Sequence, residues 1–197
     1  MLQLLFAFLL SRTQVWRNEV DAFPKSGWLA LTDTALVPVA RVRFIPDSRD
    51  PNFITVDAGV ADPILLLRDL PGIEAGPVTS ADIEGPDLPK AGDRLTIDFK
   101  GRRYRVAFDA TDKCGANMRI RLSEGNRSQL LWSHRGECSD AHWDVLWAGD
   151  LDRDGELDLL VDFSAAYAGY PDVLLLSSRA KPGQMVGEAA RFNHAAC

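Results

Sequence analysis

The sequence predicts a mainly β protein, built as an antiparallel sandwich or barrel-like single domain. Three observations support this fold class. From residue 27 onward, short runs alternate apolar with polar side chains, and a period of two is typical of strands. Proline, glycine and aspartate separate these runs, as they do at turns. No stretch carries a long helical pattern, and the best short candidate for a helix is 183–192.

The candidate strands extend through the first half of the chain and include two hairpins. The strands are predicted at 28–31, 36–44, 53–56, 64–68, 78–83, 95–99 and 104–108. One hairpin joins 95–99 to 104–108, and a second joins 118–122 to 129–132 through a turn near Gly125. The 197 residues, 46% of them hydrophobic, are enough to bury one sizeable core, so we expect one domain over 13–197.

An acidic stretch in the second half of the chain, residues 150–158, reads DLDRDGELD. Four aspartates in one turn repel each other by about 1 kcal/mol per pair in water, and a hard divalent cation reverses the sign of that interaction. Ca²⁺ takes six to eight oxygens in irregular geometry, and Gly155 supplies the positive φ of a sharp turn. The spacing therefore predicts a calcium loop. Its ligands are Asp150, Asp152, Asp154, Glu156 through its backbone carbonyl, and Asp158.

The flanks of the loop predict strands rather than the helices of an EF-hand. Apolar residues alternate along 157–163, and Trp143, Val145 and Trp147 also step by two before the loop. Val161 stands where an EF-hand places its bidentate glutamate. We therefore expect a strand-loop-strand calcium motif.

Residues 147–161, WAGDLDRDGELDLLV, resemble the calcium-binding core of FG-GAP and VCBS-type repeats, the strand-loop-strand units of integrin-like β-propeller blades. The resemblance implies the same five ligands. Only one copy is present, whereas a propeller repeats the motif in each blade, so the resemblance extends to the ion and the local fold. The wider pattern, with 16–19, 27–31, 174–178 and Cys197, is similar to uncharacterised secreted bacterial proteins that carry one such loop.

The first residues predict export. Residues 1–10 form an apolar run that is too short to cross a bilayer as a helix, which needs about 20 residues. Its length suits the core of a signal peptide, although a basic leading region and a clear cleavage site are absent. We interpret 1–12 as a signal or truncated signal segment, with a buried first strand or helix as the alternative, and expect a secreted or periplasmic bacterial protein.

The three cysteines, Cys114, Cys138 and Cys197, leave one thiol over in any pairing. Cys114 and Cys138 lie on either side of the hairpin turn near Gly125, so a disulfide between them is favoured. It would close a loop of about 25 residues and contribute about 3 to 4 kcal/mol. Pairing of Cys138 with Cys197 comes next, and free thiols come after that.

Other combinations of reactive residues carry less weight. His134, Cys138 and His142 are spaced by four, but the glycine-containing segment around them is typical of a loop, so zinc is disfavoured. Ser133 and His134 lack the glycine-flanked serine turn of a hydrolase triad.

Composition and these motifs favour a non-catalytic function. A net charge of −6 and a pI near 5.1 argue against nucleic acid. We expect a monomeric calcium-binding β domain whose ion is structural, acting as an interaction module for an unknown protein or carbohydrate ligand. The alternative is an extracellular hydrolase of a polysaccharide or cell-wall polymer, using a pair among Asp140, Asp144 and Asp162. A calcium sensor is a third hypothesis.

Three tryptophans lie shortly before the acidic loop in sequence. We expect Trp132, Trp143 and Trp147 to fill the core under the loop. If they were exposed instead, they could stack on sugar rings.

Overall fold

The structure, a computed structural model, describes residues 8–10, 14–87, 89–110, 117–133, 142–164 and 170–194. Strands make up 55% of the structure and helices make up 4%. The strands form four antiparallel sheets, and within the described residues none of these sheets closes into a barrel. The prediction of a mainly β, antiparallel fold is therefore confirmed.

The described chain contains eighteen strands and two short 3-10 helices. The strands are β1 (Phe8–Leu10), β2 (Gln14–Trp16), β3 (Trp28–Leu31), β4 (Ala35–Val39), β5 (Arg43–Pro46), β6 (Phe53–Asp57), β7 (Leu65–Arg68), β8 (Gly76–Pro77), β9 (Thr79–Ser80), β10 (Asp82–Glu84), β11 (Arg94–Phe99), β12 (Arg102–Asp109), β13 (Arg119–Glu124), β14 (Arg127–Ser133), β15 (His142–Asp150), β16 (Asp158–Ser164), β17 (Tyr170–Leu176) and β18 (Gly187–His194). The 3-10 helices are Arg17–Ala22 and Ser177–Arg179.

The chain divides into two compact units, 1–79 with 190–192 and 80–189 with 193–197. The first unit holds a five-stranded sheet of order β1-β7-β3-β4-β8 and a three-stranded sheet of order β2-β6-β5. The second unit is built on two five-stranded sheets, of order β10-β11-β12-β13-β14 and β18-β17-β16-β15-β9. The single domain predicted over 13–197 stays a prediction.

The two large sheets of the second unit share one apolar core. Alternate residues of β11, β12 and β13 contribute to it from one sheet, and alternate residues of β15, β16 and β17 contribute from the other. The Phe108 and Trp143 rings lie 5.5 Å apart between centroids, and the Trp132 and Phe163 rings are stacked at 5.1 Å. This two-sheet packing is the sandwich that the alternating pattern predicts, and it provides the rigid base for the acidic loop.

Most predicted strands and both predicted hairpins are confirmed. Two predicted strands are each divided in the structure. The run 36–44 becomes β4 and β5, because β4 ends at Val39 and the Val42 N–H then donates to the Lys25 carbonyl at 2.9 Å. The run 78–83 becomes β9 and β10, which belong to different sheets, and between them the Ala81 N–H donates to the Ala148 carbonyl at 2.8 Å.

The segment 183–192, the best short candidate for a helix, is not helical, and Gly187–His194 forms β18. Within this strand Ala190 and Phe192, two positions apart on one face, are buried, whereas Glu188 near its start is exposed. Small residues at several of these positions are compatible with helix or strand, and pairing beside β17 decides for the strand.

A β-bulge changes the orientation of the tryptophans before the acidic loop. Trp143 and Val145 face the shared core, but the pairing of β15 with β16 shifts between Val145 and Trp147. After the shift Ala148 faces that core, and Trp147 lies opposite Leu160 on the other face of the sheet. The uninterrupted period of two predicted from 143 to 147 is therefore wrong, since the extra residue of a bulge reverses the alternation.

Several predictions concern segments outside the described residues. Cys114, Cys138 and Cys197 lie there, as do His134 and Asp140. Within 1–12, the segment Phe8–Leu10 forms β1 and pairs with β7, and the signal segment stays a prediction. Among the described residues, none of the helices has the length and apolar character needed to span a membrane.

Candidate metal centre

The acidic loop connects two paired strands of the second unit. Asp150 is the last residue of β15 and Asp158 is the first of β16, and Gly149 pairs directly with Asp158. Leu151 and Leu157 are buried, so apolar side chains hold both ends of the loop against the protein. The sheet therefore sets the positions of the first and last carboxylates.

Three of the predicted ligands form a cluster. Asp150, Asp152 and Asp158 each offer a carboxylate oxygen, and these oxygens lie within 4.8 Å of one another. Asp150 and Asp158 are buried and Asp152 is partly exposed. A group of three carboxylates at this spacing could hold a metal ion, and its oxygens are the ligand type that hard cations prefer.

The two oxygens of Asp150 differ in their surroundings. Its Oδ2 accepts hydrogen bonds from the Gly155 N–H at 3.0 Å and from Lys100 Nζ at 2.7 Å. Its Oδ1 is buried and receives no hydrogen bond within the described part of the chain. Burying a carboxylate oxygen without a hydrogen-bond donor costs free energy, and a bound ion or water would remove that cost.

Asp158 is fully buried and is anchored by the backbone on both sides. Its Oδ2 accepts the Leu151 N–H at 2.7 Å, and its Oδ1 accepts the Ser177 N–H at 2.8 Å and the Ser177 hydroxyl at 3.1 Å. Burial nevertheless raises the pKa of the Asp158 carboxyl to about 7, against the opposing effect of these hydrogen bonds, and the neighbouring Asp152 charge adds to the rise. Without a further cation, a large share of Asp158 is protonated at neutral pH.

The 3-10 helix that follows β17 closes the other side of the loop. The Ser177 hydroxyl donates to Asp154 Oδ2 at 2.7 Å, and the Ser178 hydroxyl contacts Asp152 Oδ2. The second oxygen of Asp154 accepts the Glu156 N–H at 2.8 Å. Asp154 thus supports the loop, and its role as a ligand stays a prediction.

Glu156 is tied to the neighbouring sheet through its side chain. Its carboxylate pairs with Arg102, whose Nε also donates to Glu124 Oε1 at 2.6 Å. These contacts raise the pKa of the Arg102 guanidinium, with Glu124 as the larger cause, and the same pair lowers the pKa of Glu124. The Glu156 carboxylate is therefore engaged away from the triad, and only its backbone carbonyl remains the predicted ligand.

The backbone of the loop has the tight turn that the sequence predicts. Gly155 has a φ of +92°, and Arg153, unusually for a residue with a side chain, has a φ of +63°. Two left-handed residues separated by one position curl the loop tightly, so that backbone N–H groups reach the oxygens of Asp150 and Asp154.

The sequence patterns do not predict three residues of the centre. Lys100, Ser177 and Ser178 are distant from the loop in sequence and reach it through the packing of the second unit. The Leu-Leu-Leu-Ser-Ser segment ending at Ser178 belongs to the wider pattern of similar secreted proteins, and that pattern assigns it no function. A pair of serines directly after a buried strand was the available signal.

The alternative acidic residues lie elsewhere on the same sheet. Asp144 pairs directly with Asp162, and Asp162 pairs with Asp172 on the next strand. Asp162 and Asp172 are 4% and 0% exposed, so a polymer substrate has no access to them. Trp143 is buried in the shared core and Trp132 packs against it, as predicted. Trp147 is also buried, but on the other face of the sheet, so its predicted place in the same core is wrong.

Comparisons with protein-family models, with curated proteins and with solved structures found no match to this chain.

Proposed function

We propose that this protein is a calcium-dependent β protein in which one Ca²⁺ binds at Asp150, Asp152 and Asp158. The observation that carries the proposal is the buried Asp150 Oδ1, an oxygen without a donor that belongs to a carboxylate of the triad. Asp154 and the Glu156 carbonyl complete the proposed ligand set, in the arrangement that the resemblance to FG-GAP and VCBS-type repeats implies.

The chemistry of the donors supports calcium over other metals. Every predicted donor is an oxygen, which disfavours zinc and copper because these metals select nitrogen and sulfur. Mg²⁺ demands near-ideal octahedral geometry and keeps several waters, whereas Ca²⁺ accepts irregular sets with carboxylates and a carbonyl. A loop with five candidate protein oxygens suits Ca²⁺.

The proposed ion has a structural role. When bound it supplies positive charge to carboxylates that the fold already holds in place. Asp150 ends β15, Asp158 begins β16 and accepts hydrogen bonds from Ser177 after β17, so one centre fixes three neighbouring strands at the same end of the sheet. The ionised form of Asp158, disfavoured by burial, is the form that a cation stabilises.

An exported location accords with a site of this kind. Calcium sites of extracellular modules have dissociation constants of about 10⁻⁴ to 10⁻³ M, and calcium outside the cytosol is abundant enough to fill them. The signal segment predicted over 1–12 points to the same location, whereas the pairing of Phe8–Leu10 with β7 favours the alternative of a first strand. We therefore propose a secreted or periplasmic protein.

Thermal unfolding tests the calcium site. With a dissociation constant in that range, about 10 mM Ca²⁺ adds roughly 1.4 to 2.7 kcal/mol to the free energy of unfolding, which raises Tm by about 3 to 10 °C. We expect this rise in the wild-type protein and its loss in Asp152→Asn. The control is Asp82→Asn, the same chemical change at an exposed position of β10 in the same unit. A wild-type Tm that ignores Ca²⁺, or an Asp152→Asn protein that keeps the full rise, contradicts the proposal.

A cavity in the first unit supports a second role, as a non-catalytic interaction module. The cavity measures about 760 Å³, and its lining includes Phe23, Phe44, Lys25, Arg41 and Arg43, together with one carboxylate, that of Asp21. The Phe23 and Phe44 rings are stacked at 6.4 Å and are half-buried. Lys25 and Arg41 are exposed, and no carboxylate in the described ranges pairs with either.

Two aromatic rings beside unpaired cations suit an acidic polysaccharide, because rings pack against sugar faces and ammonium or guanidinium groups pair with carboxylates. We therefore propose an acidic glycan as the ligand of this cavity. Calorimetric titration with polygalacturonate should show binding that the Lys25→Glu, Arg41→Glu double variant loses, and neutral dextran should not bind to either protein. Equal binding of polygalacturonate to both proteins refutes this role.

A further inference from the structure

We infer that Lys100 is a built-in counter-charge that sets the calcium affinity of the loop: it stabilises the loop without metal and weakens ion binding. This inference rests on the proposed calcium site and concerns how tightly that site binds. It identifies an affinity-determining residue outside the loop, supplied by the hairpin between β11 and β12.

The position of Lys100 is well defined by its neighbours. It lies in the turn between β11 and β12 with a φ of +47°, and its Nζ is 2.7 Å from Asp150 Oδ2 and 5.0 Å from the centroid of the Phe99 ring. The ring face and the carboxylate together hold the ammonium group. The Lys100 side chain is 41% exposed, whereas that of Asp150 is 7% exposed, so the ammonium group covers the carboxylate from the solvent side.

Lys100 and an ion need not compete for the same atom. Lys100 contacts Asp150 Oδ2, and the oxygen without a donor is Oδ1. One carboxylate can therefore bind the ammonium group through one oxygen and a cation through the other. The positive charges then lie on opposite sides of a single carboxylate, and their repulsion lowers the affinity for the ion.

Two effects of Lys100 on affinity oppose each other, and the contacts of Asp150 decide between them. A hydrogen bond from Lys100 orients the ligand carboxylate, and loss of an orienting partner weakens metal binding. The Gly155 N–H, however, donates to the same Oδ2 at 3.0 Å, so the carboxylate keeps an orienting partner when Lys100 is removed. Lys100 is the ammonium group paired with Asp150, so its removal lowers the positive charge beside that carboxylate. The electrostatic effect is therefore the larger one, and removing Lys100 increases affinity.

The first experiment is calorimetric titration of the metal-free full chain with Ca²⁺. Lys100→Met keeps an unbranched side chain of similar length at the left-handed position and removes both the charge and the hydrogen bond to Asp150. We expect its dissociation constant to be about tenfold lower than that of the wild type, as for a unit charge close to a divalent ion in a largely aqueous environment. Lys100→Arg keeps the charge and should stay within about threefold of the wild type on the same ground.

The matched control is Arg103→Met, which removes one positive charge from the same hairpin. Arg103 pairs with Asp98 at 2.8 Å and contacts no residue of the loop. We expect its calcium affinity to equal that of the wild type. A gain in affinity equal to that of Lys100→Met would mean that net charge alone is responsible, and would overturn the assignment to Lys100.

The second measurement is thermal unfolding with and without the metal. In EDTA, Lys100→Met should melt below the wild type, because Asp150 loses its counter-charge. At saturating Ca²⁺ this deficit should vanish or reverse, since the variant binds the ion more tightly. A deficit of the same size under both conditions indicates a purely structural ion pair and overturns the inference.

The outcomes separate this inference from the calcium site itself. If the wild type binds Ca²⁺ and Lys100→Met binds it equally or more weakly, the role of Lys100 is refuted and the calcium site stands. If the wild type shows no detectable binding and Lys100→Met binds, the inference is supported, with the wild-type affinity below the range of the titration. If neither protein binds, both proposals fail.

Discussion

The buried carboxyl of Asp158 predicts an unusual dependence of stability on pH when metal is removed. Its pKa lies near 7 in the folded protein, raised from 3.8 mainly by burial. The folded state therefore binds a proton more tightly than the unfolded chain does. By linkage, the stabilising contribution is fully present below about pH 4 and is lost as pH rises through about 7.

The size of this effect follows from the shift. About three pKa units at about 1.4 kcal/mol each correspond to roughly 4 kcal/mol in total. Most of the measurable change in the free energy of unfolding falls between pH 5 and 8, where the linkage relation gives a decrease of about 2 to 3 kcal/mol. The free energy of unfolding in EDTA should therefore decrease toward alkaline pH in this interval, which is opposite to the effect of an ion-paired aspartate.

Urea denaturation in EDTA, at half-unit steps from pH 5 to 8, measures the effect in the wild type and in Asp158→Asn. The two proteins differ only at residue 158, so the difference between the two curves isolates the titration of Asp158. The pKa values that are lowered, those of Asp57, Asp98 and Glu124, lie below this pH interval. Saturating Ca²⁺ should remove the decrease in the wild type, because a bound cation holds the carboxylate ionised. Parallel curves for the two proteins in EDTA would refute the reasoning.

Three further substitutions test the packing around the centre by urea denaturation. Gly187→Ala should lower the free energy of unfolding by about 3 kcal/mol or more, because the new Cβ would lie 2.0 Å from the Arg179 carbonyl oxygen; a loss below about 1 kcal/mol would contradict that close approach. In Gly155→Ala the new Cβ would meet no atom within 4 Å, so the free energy of unfolding should fall by only about 1 to 3 kcal/mol, because of the φ of +92°. An unchanged free energy of unfolding would exclude the left-handed turn. Trp143→Ala should lose about 3 to 5 kcal/mol, because its ring is fully buried, and a change under about 1 kcal/mol would place the ring at the surface.

Local sequence patterns predict the acidic loop and its flanking strands well, because their signals lie within a few residues of each other. Aspartate spacing and Gly155 define the turn, and alternation along 157–163 defines β16. The same method is wrong over 183–192, where alanine and glycine allow either helix or strand. It is also wrong at Trp147, because one inserted residue in the strand reverses the face on which all later side chains lie.

The contacts that define the environment of the carboxylates depend on chain segments that are distant in sequence. Lys100 reaches Asp150 across 50 positions, and Ser177 reaches Asp158 across 19. Periodicity indicates which face of a strand is buried, but not which loop of another strand ends beside it. The burial that raises the pKa of Asp158 likewise arises only when β15, β16 and β17 pair. The acidic cluster of Asp150, Asp152 and Asp158 is thus predictable from the sequence, whereas its electrostatic environment is not.

The hydrogen bonds of the loop favour a structural ion over a sensor. A sensor needs two arrangements of similar free energy that the ion distinguishes. Here Asp150, Asp154 and Asp158 already accept backbone N–H groups of the loop, and Ser177 fastens two of them to the end of β17. These bonds specify one loop backbone without reference to an ion. The proposed ion would therefore stabilise this one arrangement of the loop rather than switch it to another. The loop also connects antiparallel strands, whereas calcium sensors expose a groove by opening a pair of helices.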